Sequence, residues 1–267
     1  MIMFPNAKIN IGLNVLSKRE DGYHDLETIF YPIGLKDALE VVESEHLMFT
    51  SSGLDIPGDP MNNLCLKAYH LLSKNHKLPP VHIHLHKHIP IGAGLGGGSS
   101  DASFFIKLMN DKFELGLEIS KMEGYASQLG SDCAFFVQNK PAIAFGKGDE
   151  LQNIEIDLSG FYMVLVMPHV QVSTAEAYRG VIPRATSNPL VDLIKLPIEE
   201  WKIFIKNDFE VSVFDQYPII GDIKSKLYQS GALYASMSGS GSSVFGIFKE
   251  KIQLPEMEKD SQVFYGV

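Results

Sequence analysis

Residues 90–103 read PIGAGLGGGSSDAS and place five glycines between Gly92 and Gly98. Glycines let a backbone pass close to a ligand and turn successive N–H groups inward, which makes a nest for an anion. Gly92-Ala93-Gly94-Leu95-Gly96-Gly97 also spells G-x-G-x-x-G. A dinucleotide site needs an acidic residue about 20 residues on, at the end of the next strand. Here Glu114 and Glu118 follow a helical pattern instead, and Pro90 stands where a central strand would still donate hydrogen bonds. A P-loop fails too, because Gly98 replaces its lysine. The physics that remains is a phosphate-holding loop. Ser99 and Ser100 would open a helix as caps or phosphate ligands, and Asp101 would complement its dipole.

Other residues offer chemistry with a plain alternative beside it. Asp132 reads either as a base or as the N-cap of the segment CAFFV. Lys8 sits on the polar face of a strand, where a lysine is ordinarily solvated, and Asn10 shares that face. His82, His84, His86 and His88 also share a strand face. Their Cα atoms would spread over about 20 Å, poor geometry for one tetrahedral ion, so they read as a polar face opposite Val81, Ile83, Leu85 and Ile89. Cys133 reads as a small buried apolar residue.

These residues need elements to hold them. AKINIGLNV alternates, with Ile9, Ile11, Leu13 and Val15 on one side and Lys8, Asn10, Gly12 and Asn14 on the other, as in a half-buried strand. Asp21-Gly22 marks a turn, DALEVVES a strand, and VHIHLHKHI a strand that runs into the glycines. NNLCLKAYHLLSKN predicts a helix with Leu64, Ala68, Leu71 and Leu72 on one face, and SSDASFFIKLMNDKF predicts another. Ser120 to Glu123 and Ser173 to Glu176 are capping-box patterns; the helices they start should end at Gly130 and Gly180. FYMVLVMP predicts a buried strand, ATSNPLVDLIKLPIEEW a loop with a short helix, and PIIGDIKSKLYQSG a helix closed near Gly231. ALYASM and SVFGIF flank SGSGS as strand–turn–strand. This order predicts two α+β layers, 1–154 and 155–267.

The chain has 267 residues and a net charge of −9, which argues against extended nucleic acid or an anionic membrane surface as partner. No apolar run nears the roughly 18 residues of a membrane span, and the first residues carry no export signal. Two unspaced cysteines fit a reducing, cytoplasmic setting.

The glycine-rich segment Pro90–Ser100 resembles the phosphate loop of the GHMP kinases, which include galactokinase, homoserine kinase and mevalonate kinase. NAKINIGLNV with DGYHDLETIF is similar to the N-terminal signature of the branch that phosphorylates diphosphocytidyl methylerythritol. LGSDCAFF (129–136) resembles that branch's catalytic-aspartate motif, and MSGSGSSVFGIF (237–248) the third superfamily motif. One departure is Asn6-Ala7-Lys8, preceded by Pro5, where the family often has Pro-Ala-Lys.

The resemblance implies a two-domain α+β fold: an N-terminal α/β domain like domain 2 of ribosomal protein S5, and a ferredoxin-like C-terminal domain. It implies transfer of the γ-phosphoryl of ATP, with Mg²⁺, to the 2-hydroxyl of the erythritol moiety in non-mevalonate isoprenoid synthesis. It assigns Asp132 as base and Lys8 as its partner. Asn10, Tyr23, His24, Phe30 and, from the second domain, Tyr178 would hold the substrate. Asn63, Lys87, Pro90, Gly92, Gly94, Leu95, Gly96, Gly97, Gly98, Ser99 and Ser100 would hold ATP. No dedicated protein metal site is expected, because Mg²⁺ binds largely through phosphates. The expected partner is this small molecule, and the expected state a monomer or weak homodimer.

Overall fold

A computed structural model describes residues 1–267. In chain order the first elements are β1 (Ile2–Met3), β2 (Asn6–Lys18), β3 (His24–Lys36), β4 (Ala38–Glu43), β5 (Met48–Gly53), α1 (Leu64–Ser73) and β6 (Val81–Lys87). Then come α2 (Gly97–Lys112), α3 (Ile119–Ala126), α4 (Cys133–Gln138), β7 (Ala142–Phe145), β8 (Glu150–Asn153) and β9 (Tyr162–Pro168). The rest is α5 (Thr174–Arg179), α6 (Leu190–Leu193), α7 (Ile198–Phe204), α8 (Phe209–Gln216), α9 (Pro218–Gln229), β10 (Tyr234–Met237), β11 (Val244–Phe248), α10 (Pro255–Glu258) and β12 (Ser261–Tyr265).

These elements form two compact units, and the chain passes between them more than once. The first comprises Met1–Ala7, Leu35–Ile91 and Gly96–Lys140. Its sheet has the order β1-β4-β6-β5, with β5 parallel to β6 across the helix α1. Alternation on β6 sends Val81, Ile83 and Leu85 into a core with Leu39, Val41, Leu72, Phe105 and Ile106. Each such side chain contributes about 1.5–3 kcal/mol when fully buried. On the other side of β6, Thr50 Oγ1 lies 2.8 Å from both His82 Nε2 and His84 Nδ1. Ser52 Oγ lies 3.0 Å from both His84 Nε2 and His86 Nδ1. The histidines there are a hydrogen-bonded polar face.

The second unit comprises Lys8–Gly34, Gly92–Leu95 and Pro141–Val267. It holds two sheets, of order β2-β3-β7-β8 and β10-β11-β9-β12. Val164, Val166, Ile220, Ile223, Leu227, Ala235 and Val244 form its main core with Leu13 and Val15 of β2. The α9 helix starts with Pro218 at its first turn and stops before Gly231, whose φ of +95° a side chain would resist. The capping box at Ser173 and Glu176 is fully made, and Gly180 ends α5.

Several local expectations need correction. The buried face of α1 is Cys65, Leu66, Ala68, Tyr69 and Leu72, one position round from the expected stripe. The α2 helix begins at Gly97, with Gly96 as a left-handed N-cap, so Ser99 and Ser100 lie in its first turn and cap nothing. Glu118 precedes α3, which ends at Ala126; Ser120 is inside the helix and Gly130 beyond it. Two short helices, α6 and α7, replace the expected one. Finally, β2 is not half-buried: Lys8 and Asn10 are as enclosed as Ile9 and Ile11.

Candidate functional site

The glycine loop alternates. Gly92, Gly94 and Gly96 have φ of +67°, +75° and +68°, while Ala93 and Leu95 between them bury their side chains. Left-handed positions turn the backbone and apolar anchors fix it, so the loop is shaped rather than slack. The chain leaves the second unit at Leu95 and enters the first at Gly96.

In the second unit the loop is bound on two sides. Lys8 N–H donates to Leu95 O (3.0 Å), which ties β2 to the loop. Gly94 O accepts from Ser238 Oγ (2.8 Å) and from Lys8 Nζ (3.3 Å). A Cβ on Gly94 would lie 2.0 Å from Ser238 O, so only glycine fits. Ser238 belongs to the β10–β11 turn, whose SGSGS pattern the sequence placed there. That turn is itself held by Asn207, whose Nδ2 donates to Met237 O (2.9 Å) and Gly239 O (2.8 Å) while its Oδ1 accepts from Phe209 N–H (3.0 Å).

Lys8 is 4% exposed, against the expectation of a solvated lysine. Its Nζ donates to Asn10 Oδ1 and sits 4.9 Å from the centre of the Phe30 ring. Asn10 Nδ2 donates to Thr28 Oγ1 (2.9 Å), and Asn10 N–H donates to Ser238 Oγ (3.2 Å). Phe30 is thus a packing surface beneath the ammonium. Tyr23 is largely exposed, and Lys147 Nζ lies 5.2 Å from its ring centre. His24 stacks on Tyr178 at 4.7 Å and 19°, and Tyr178 meets Phe209 edge-on.

In the first unit, α2 continues from the loop and presents its N-terminal N–H groups and positive dipole end. Ser100 Oγ in its first turn is buried with no hydrogen-bond partner. Within this unit the helix start and this orphaned hydroxyl are of the kind that suits a phosphate group. Asn63 caps α1, accepting Cys65 N–H at 2.9 Å. Lys87 is buried and forms ion pairs with Asp37 and with Asp101 Oδ2 (2.7 Å). Asp37 Oδ1 accepts the N–H groups of His88 (2.6 Å) and Ile89 (2.8 Å), just ahead of Pro90. A Cβ on Gly97 would lie 2.9 Å from Ile89 Cγ2 and 3.0 Å from Lys87 Nζ.

Asp101 is therefore a member of a buried cluster, not a surface dipole residue. Burial pushes its carboxyl up to about 7 against the pull of Lys87, and the nearby Asp37 adds to the rise. Burial would lower Lys87, but the two carboxylates overcome it and hold its ammonium above the ordinary value.

Asp132 occupies the N-cap position of α4, as its plain reading expects, but in helical φ/ψ and without a side-chain cap bond. Ser131 Oγ donates to its Oδ1 (3.3 Å). Cys133 is fully buried, and burial pushes its thiol up to about 11, as expected of a packing residue. No group of three His, Cys, Asp or Glu side chains is placed to hold a metal ion.

Two family models match the chain. The GHMP kinases N terminal domain matches residues 63–146, and the GHMP kinases C terminal model matches 190–259. The chain belongs to the GHMP kinases. A relative named 4-diphosphocytidyl-2-C-methyl-D-erythritol kinase, from Bacteroides fragilis, is 52% identical over 97% of this chain and 96% of its own. A relative of the same name from Cytophaga hutchinsonii is 55% identical over 94% and 93%. A crystal structure of 4-(cytidine 5'-diphospho)-2C-methyl-D-erythritol kinase superposes with a TM-score of 0.84 at 28% identity, covering 100% of this chain and 98% of that one. A homoserine kinase from Cytophaga hutchinsonii shares the fold at a TM-score of 0.66 and 16% identity. The fold is accordingly the two-domain α+β fold of the GHMP kinases, and the protein is a kinase. No helix is long and apolar enough to cross a membrane.

Of the residues the sequence named as candidates, the structure sets Lys8 against Asn10 and Gly94 and stacks His24 on Tyr178. The sequence missed Thr28, Ser238, Asn207, Asp37 and the true partner of Asp101. The motif SGSGS was a signal for Ser238; the others act through contacts far along the chain, which no local pattern marks.

Proposed function

We propose that this chain transfers the γ-phosphoryl of ATP to the 2-hydroxyl of 4-diphosphocytidyl-2-C-methyl-D-erythritol, a step of non-mevalonate isoprenoid precursor synthesis. The observation that carries the substrate is identity above half, over nearly the whole chain, to relatives of that name. An N-terminal family model over 63–146 and a C-terminal one over 190–259 fit an ATP-binding region ahead of a C-terminal region along the sequence, although the compact units interleave residues from both.

Phosphoryl transfer asks for positioning, charge neutralisation and a base. Asp132 takes the proton of the attacking hydroxyl. Lys8 supplies positive charge for the attacking oxygen or the moving phosphoryl group, and its low exposure keeps that charge strong. Gly92, Gly94, Leu95, Gly96, Gly97, Gly98, Ser99 and Ser100 receive the triphosphate through backbone N–H groups and the helix start. Pro90, Asn63 and Lys87 belong to the nucleotide side. Mg²⁺ would supply further charge neutralisation, bound largely through the phosphates of ATP. Tyr23 and His24, with Tyr178, read the cytosine ring by stacking and edge hydrogen bonds, which needs no basic patch. Phe30 and Asn10 complete that side. The working partner is this small molecule.

The proposal is tested by kinetics. Asp132→Asn should lower kcat by about 10²–10⁴-fold with the ATP KM little changed. Tyr23→Ala and His24→Ala should raise the KM for the cytidyl substrate; unchanged KM values would remove the cytidyl assignment.

A further inference from the structure

The orientation of the Asn10 amide is decided by one hydroxyl. Thr28 is 1% exposed, and its Oγ1 donates to Gly12 O at 2.6 Å. A threonine hydroxyl has one proton, so Oγ1 can only accept from Asn10, whose Nδ2 lies 2.9 Å away. The amide nitrogen is thereby held toward β3, and Oδ1 faces Lys8 Nζ. An ammonium only donates, so the two ends of the amide agree on a single orientation. If the amide rotated by half a turn, its NH₂ would confront the ammonium and its oxygen would confront a hydroxyl whose proton is already used. Buried hydrogen-bond errors of this kind are costly because no water can repair them.

We infer that Thr28 is a positioning residue for phosphoryl transfer, acting through Asn10 to hold the Lys8 ammonium in place. This rests on the assignment of Lys8 to the reaction. Thr28 touches neither substrate in this account; its effect passes along the path from Gly12 O through Thr28 and Asn10 to Lys8. Ser238 does not duplicate this role, because its Oγ accepts from the Asn10 main-chain N–H and leaves the amide untouched.

The test uses the full-length enzyme with ATP and the cytidyl substrate. Thr28→Val keeps the shape and removes the acceptor. It should lower kcat by about 10²-fold, the effect of a small misplacement of a reacting group, with the ATP KM unchanged. Thr28→Ser keeps the hydroxyl and should restore most of kcat. In a Lys8→Met background, Thr28→Val should cause little further loss, since both changes act on one path. Should Thr28→Val not fold, Thr28→Cys, a poor acceptor of similar size, asks the same question. Wild-type kcat in the Val or Cys variant overturns the inference. So does a loss that persists in full when Lys8 is Met, because that would be a packing effect. If Lys8→Met itself turned over normally, the assignment of Lys8 would fall, and that result is separable from failure of Thr28 alone.

Discussion

Asp101 carries a prediction that belongs to a single side chain. Its carboxyl has a higher pKa in the folded chain than in the unfolded one, because burial and Asp37 outweigh Lys87. The folded state therefore binds the extra proton more tightly, and this contribution to stability is present below about pH 4 and is lost as pH rises toward about 7. Asp101→Asn resembles the protonated form and has nothing to lose. The difference in unfolding free energy, wild type minus variant, should fall with rising pH in that window, by up to about 1.4 kcal/mol per pH unit. Denaturant titrations of both proteins from pH 4 to 8 read this directly, and a flat difference would contradict it. The same residue shows the limit of the sequence. Asp101 follows a glycine loop and looks like a dipole residue; only the arrival of β6 beside α2 turns it into a partner for Lys87. The burial of Lys8 was not legible, because its alternating strand says nothing about what covers the polar face.

At the scale of elements, the loop and the β10–β11 turn act as one assembly within the second unit. Gly94→Ala would put a methyl group on Ser238 O and ask alanine to hold a φ of +75°. It should raise the ATP KM and lower kcat together, while circular dichroism stays native; unaltered kinetics would show that the loop tolerates displacement. Asn207→Ala removes the amide's three bonds, to Met237 O, Gly239 O and Phe209 N–H. A loss of about 1–3 kcal/mol in stability is expected from unsatisfied buried groups, read as a lower denaturant midpoint, and loosening of Ser238 should also reduce turnover. Most strands and long helices were legible from their periodicity, as in β2, β6, β9 and α9. Boundaries were less so. The α2 start moved to Gly97 because a left-handed glycine can precede a helix without any capping side chain. The strand β12, edge partner of β9, has no alternation strong enough to mark it beforehand; Gln262 is its only strongly exposed position.

At the scale of the whole molecule, the two compact units are not two halves of the chain. Residues 8–34 pair in one sheet with β7 and β8 and share a unit with everything after Pro141. Local pattern cannot announce such pairing, because each strand looks the same whichever unit it joins. The motifs could be read only because their chemistry is local: a glycine nest, an aspartate before a helix, a lysine on a strand. Binding of ATP should stabilise the chain by RT ln(1 + [L]/Kd), about 2.7 kcal/mol at a hundredfold excess over Kd, visible as a higher Tm. An unchanged Tm with saturating ATP would count against the nucleotide site.

The central claim is the reaction itself. The most direct measurement is ATP consumption by the full-length enzyme, with Mg²⁺, across a panel of 4-diphosphocytidyl-2-C-methyl-D-erythritol, free methylerythritol, homoserine and mevalonate. Rapid turnover of the cytidyl compound alone, with the phosphate on its 2-hydroxyl, is the predicted result. Preference for homoserine, mevalonate or the free polyol, or no turnover of the cytidyl compound, would contradict it.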